Sequence, residues 1–248
     1  PAVLIYFRCL KMLSDIDPQL HFSELRVLLE QYWTLFPQHE IRDIYVAAIN
    51  FCIRQLNTGA RSFIRDALDL YRSGLERAII FEDGFLSKYT YNNILLLAIA
   101  LEEWDWARQF LEDYRTTLPQ RDRDSAYRYN LATYYFRKKD YPRAQETLRH
   151  VEFRDAFYNL DSRRMLIRIY FDAGEVMALD SLLDSFAIYL RRKRASLGYH
   201  KDLNLNFVHF VKNLVRIDWT NETEKNTLRE KIRSTKYVAE REWLLSKV

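Results

Sequence analysis

The feature that most constrains this chain is the rhythm of its apolar residues. They recur every three or four positions in about twelve stretches: roughly 3–14, 20–36, 40–56, 60–80, 88–102, 104–118, 125–138, 141–152, 156–172, 175–193, 200–217 and 223–246. Most joints are short and polar, such as Asn57-Thr58-Gly59 and Ala173-Gly174-Glu175. Short joints make consecutive helices antiparallel neighbours. Each apolar stripe is too wide to leave in water and too long for one partner to cover, so helix pairs stacked side by side bury the stripes continuously. That is the logic of an α-solenoid. Only five Gly and five Pro occur among 248 residues, too few for a turn-rich β or α/β fold, and the chain reads as all-α. With 48% apolar and 15% aromatic residues it is not a disordered segment. The longest apolar run ends at Glu102-Glu103, too short to span a bilayer.

One stretch is more specific. In YNLATYYFRKKDYPRAQETLRHV, residues 129–151, the first helix carries Leu131, Ala132 and Tyr135, and the second carries Tyr141, Ala144, Leu148 and Val151. Asp140 caps the second helix and Pro142 sits in its first turn, where a missing N–H does no harm. The small residues let two backbones approach closely. This pattern resembles the tetratricopeptide repeat. The preceding pair repeats it more loosely: Trp104, Ala107, Leu111, Tyr114 and Pro119 match in its second half, while Leu95 and Ala98 stand where a small residue and an aromatic are expected. The following pair offers Leu166, Tyr170, Gly174, Leu179, Leu183 and Phe186. Leu25, Ala67, Ala107, Ala144 and Leu179, or Ala178 with a one-residue slip, then serve as crossing residues; with Leu179 they are spaced 42, 40, 37 and 35 apart, against a regular period of about 34.

The resemblance covers residues 90–187, loosens over 20–89 and is absent from 195 onward. It implies a right-handed α-solenoid of about twelve helices. Residues 1–88 are expected to form degenerate hairpins, 89–194 the repeats proper and 195–248 the capping helices. Leu228, Ile232, Ala239 and Trp243 are placed on one stripe of the cap, whose other faces are densely charged. The opening residues, Pro1 to Leu13, read as a helix entered partway, which suggests the C-terminal part of a longer protein and makes self-association through this helix possible.

The resemblance also implies a function: a non-catalytic scaffold holding a peptide or partner protein, possibly acidic, in a concave groove. Carrying the repeat register across, that groove presents Tyr89, Asn92, Tyr129, Thr133, Phe136, Arg164, Arg168 and Phe171. Arg164 and Arg168 lie one helical turn apart, so both guanidiniums are expected to reach one carboxylate-rich ligand. Asn92 and Asn130 are placed to bracket a peptide backbone. Leu96 and Thr133 stand where the family's carboxylate clamp needs asparagine, so binding of that type is not expected.

No catalytic residue, metal site or cofactor is expected. His21, His39, His150, His200 and His209 show no metal-ligand spacing, and Cys9 and Cys52 sit in apolar helical patterns that suit buried thiols in a cytoplasmic protein. Charge is uneven. Residues 1–120 hold 12 Lys+Arg and 16 Asp+Glu, net −4, which leaves 26 and 18, net +8, for residues 121–248. Arg191, Arg192, Lys193 and Arg194, with Lys201, form a basic patch. The carbonyl end of a helix explains it, with an acidic or phosphate contact, or a modification site at Ser196, as sharper readings. The alternative function is accordingly a regulatory or nucleic-acid-associated module using the basic half. No membrane contact is expected.

Overall fold

A computed structural model describes residues 1–14, 17–149, 155–193 and 197–248. Among these residues there are thirteen α-helices, two 3-10 turns, and one isolated β-bridge in place of any strand. No helix is long and apolar enough to cross a membrane. Packing divides the chain into two compact units, Pro1–Lys138 and Lys139–Val248, with the boundary inside the 129–151 motif.

The first unit contains α1 (Ala2–Met12), α2 (Pro18–Tyr32), α3 (Gln38–Asn57), α4 (Phe63–Glu76), α5 (Lys88–Ala100), α6 (Trp104–Asp113) and α7 (Gln120–Arg137). Helices pack as neighbouring pairs, α1 on α2, α3 on α4 and α5 on α6, and the first members touch in turn, α1 with α3 and α5 with α7. The crossing residues Leu25, Ala67 and Ala107 are all fully buried. Around them Phe22, Phe51 and Phe63, one from each of three successive helices, stack with centroids 5.1–5.7 Å apart.

Ion pairs join successive pairs at the rim. Arg26 meets Asp66, Arg77 meets Glu30, and Arg65 and Arg72 both meet Glu103. The joint from α4 to α5 is longer than its neighbours. Asp83 (φ 50°) and Gly84 (φ 80°) turn the chain so that Glu82 and Phe85 exchange backbone hydrogen bonds of 2.9 and 2.8 Å. That geometry suits an Asp-Gly pair, since both central residues need positive φ.

The second unit contains α8 (Tyr141–Arg149), α9 (Ala156–Ala173), α10 (Val176–Arg192), α11 (Tyr199–Arg216), α12 (Glu222–Ser234) and α13 (Arg241–Ser246). Asp140 accepts the Arg143 N–H at 3.3 Å and so caps α8 as expected. Asp155 caps α9 by accepting from Phe157 and Tyr158, and Gly174 closes the same helix with φ 69°. Helix α9 packs on α8 and α10, α10 on α11, and α13 on both α11 and α12. Ala144 and Leu179 are buried, and Phe186, Leu190, Phe207 and Leu244 lie in one core.

The single terminal helix expected over 223–246 is two helices. Arg241 folds back to donate to the carbonyls of Arg233, Thr235 and Lys236, which satisfies the end of α12. Glu240 then turns the chain with φ 54°. Ala239 therefore lies in a loop, its N–H on the Leu203 carbonyl at 3.1 Å, and leaves the stripe that was to hold Leu228, Ile232 and Trp243.

Candidate functional site

The α9 face expected to bind a ligand is occupied by the end of the same chain. Because α9 repeats every 3.6 residues, Arg164, Arg168 and Phe171 share one side of it. Arg168 donates to Glu240 Oε2 at 2.8 Å, and the Arg164 Nε lies 3.2 Å from the other oxygen, Oε1. Arg164 also pairs with Asp161 and donates to Asn204 Oδ1 at 2.8 Å. Three residues on from Glu240, Trp243 meets Phe171 edge to face at 5.3 Å and lies under the Arg168 guanidinium at 5.5 Å. Lys247 closes the contact on Asp172 at 2.6 Å. The two guanidiniums do share a carboxylate, as their spacing predicts, but it is supplied in cis.

The other groove residues divide between surface and interior. Tyr89 is 62% exposed, under an ammonium from Lys88 at 5.4 Å, and Asn92 is half-buried. Tyr129, Asn130, Thr133 and Phe136 are buried, and so do not line an open surface. Asn130 Nδ2 donates to the Ala126 carbonyl at 2.8 Å, and the Thr133 hydroxyl to the Tyr129 carbonyl at 2.9 Å. Both polar groups bond back to their own helix, a common way to bury such side chains.

In the basic patch, Arg191, Arg192 and Lys193 are exposed in and just after the last turn of α10, where cations complement the carbonyl end. Lys201 is half-buried beside Asp202 at 3.8 Å. Arg194 and Ser196 lie outside the described residues, as do His150 and Val151. Among the described residues no three His, Cys, Asp or Glu side chains come together to hold a metal. Burial pushes the Cys52 thiol up to about 12, helped by the nearby Asp66 carboxylate, and burial also raises Cys9. Neither is a poised nucleophile.

Two features of the surface were not read from the sequence. The first is an apolar face on the first helix pair. Ile5 and Met12 alone are buried in α1, while Val3, Phe7 and Leu10 are 83%, 45% and 69% exposed, with Leu20 and Val27 exposed on α2. The 3, 7, 10 spacing was legible, but which side of α1 meets its neighbours was not. The second is Arg163, which packs over Tyr189 of α10 at 4.8 Å. Compared with known proteins, the chain matches no family model, no curated protein and no solved structure.

Proposed function

We propose that the chain is a non-catalytic, tetratricopeptide-like scaffold that binds protein, with the outer face of α1 and α2 as its main contact surface. The single observation that carries this reading is the row Val3, Phe7 and Leu10, joined by Leu20 and Val27, left open to solvent. Large apolar residues exposed along one stripe of a helix, at the 3, 7, 10 spacing, are the kind of surface that marks an interaction site more often than isolated exposed residues do. The buried crossing residues and paired helices support the repeat reading. The α9 face adds no open surface to it, because Glu240 and Trp243 of the same chain occupy that side.

Light scattering at several concentrations tests the surface. The mass of the wild type is expected to rise above 30.0 kDa with concentration. Leu10→Glu, which puts a charge in this row at a well-exposed position, is expected to hold the mass at one chain while keeping the helical circular-dichroism signal. A wild type that stays at one chain throughout, and binds no apolar-surface dye, removes this face from the proposal.

A further inference from the structure

The half-buried arginines of this protein follow a rule with one exception among the described residues. Arg26 meets Asp66, Arg72 meets Glu103, Arg77 meets Glu30, and Arg123 donates to the carbonyls of Thr116 and Leu118. Arg163 meets neither kind of partner. Its Nε donates to Asn159 Oδ1 at 2.8 Å, one turn back on α9, and its guanidinium lies over the Tyr189 ring at 4.8 Å and 5.7 Å from the Phe186 centroid. Among the described residues its two terminal nitrogens have no acceptor, and neither is fully enclosed. Withdrawing a cation from water without an anion is unfavourable. Burial accordingly pushes the Arg163 pKa down, with only the Tyr189 phenol opposing.

We propose that Arg163, oriented by Asn159 and backed by Tyr189, docks a carboxylate side chain of an acidic peptide segment. The terminal fork of a guanidinium matches a carboxylate in plane, with two parallel hydrogen bonds. The same unit already contains this chemistry, since Arg164 and Arg168 hold Glu240. A nucleic acid fits less well, because the guanidinium covers the Tyr189 face on which a base would stack. Exposed Arg192, three residues beyond Tyr189 on α10, supplies a second cation for a second acidic residue. This site lies in the second unit and does not depend on the α1 and α2 face, so either reading can fail alone.

The test is anisotropy of a labelled hexaglutamate peptide titrated with the full chain at low salt. Arg163→Gln is expected to weaken binding about tenfold, the loss of one charge-assisted pair. Arg163→Lys, which keeps the charge and loses the fork, is expected to fall between. The melting temperature of Arg163→Gln is expected to equal or exceed the wild type, because no anion is stranded by the change. Equal affinity of wild type and Arg163→Gln overturns the proposal. So does a melting temperature that drops as far as that of Arg72→Gln, which marks a structural arginine. Tighter binding of inorganic phosphate or an oligothymidylate than of hexaglutamate, abolished by the same variant, overturns the assignment to acidic peptide.

Discussion

Glu240 ties the end of the chain to α9 through Arg164 and Arg168. It adopts φ 54°, a conformation that costs a non-glycine residue about 1 kcal/mol, and it is held there by two guanidiniums. Glu240→Gln keeps the shape and removes the charge. It leaves Arg164 and Arg168 sharing one neutral oxygen, and is expected to cost about 1–3 kcal/mol, read from the urea midpoint of unfolding. A midpoint unchanged from wild type would show that the clamp contributes nothing. The spacing of Arg164 and Arg168 was enough to expect a shared carboxylate. Nothing in that spacing said whose carboxylate, because the answer lies 72 residues along the chain and depends on the turn that Arg241 makes.

At the scale of elements, small residues decide how closely a helix and its neighbours approach. Gly74, in the last turn of α4, accepts at its carbonyl from the Ile79 N–H at 2.8 Å, which folds the chain back over the helix. A Cβ at this position would lie 2.6 Å from Ile80 Cγ2 and 3.5 Å from Tyr45 Cδ1. Gly→Ala inside a helix normally stabilises by roughly 0.5–1 kcal/mol. Here overpacking reverses the sign, and Gly74→Ala is expected to destabilise by about 1–3 kcal/mol, with a melting temperature below wild type as the check. Helix starts were easier to read than helix ends. Asp140 announced α8 in the sequence, and Asp155, found in the structure, caps α9 in the same local way. The end of α12 was missed, because its carbonyls are satisfied by Arg241, a residue beyond the break.

Across the whole molecule, stability against alkali is set by acids buried in their protonated form. The Cys52 thiol is pushed up to about 12 by burial, and burial, with Tyr127 and Glu112 nearby, raises the Tyr91 phenol, which donates to the Leu111 carbonyl at 2.6 Å. The folded chain keeps these protons at a pH where the unfolded chain releases them. The stabilisation is therefore complete below the ordinary thiol value of 9 and is lost as pH rises from there through about 12. The melting temperature is expected to be flat just below pH 9 and to fall above it. Cys52→Ala lowers the plateau but makes the fall shallower, and an unchanged slope in that variant would remove Cys52 as a cause. By itself the sequence determined that the chain is helical, that its helices run as adjacent pairs and that Leu25, Ala67, Ala107, Ala144 and Leu179 are buried, because periodicity and short joints act within a few turns. Only the tertiary structure decided that Tyr129, Asn130, Thr133 and Phe136 are interior, that the Arg164 and Arg168 face is filled by the chain's own end, and that Arg163 is left without an anion. Those outcomes depend on which faces meet across tens of residues, and a helical stripe specifies that a side is buried without specifying what buries it.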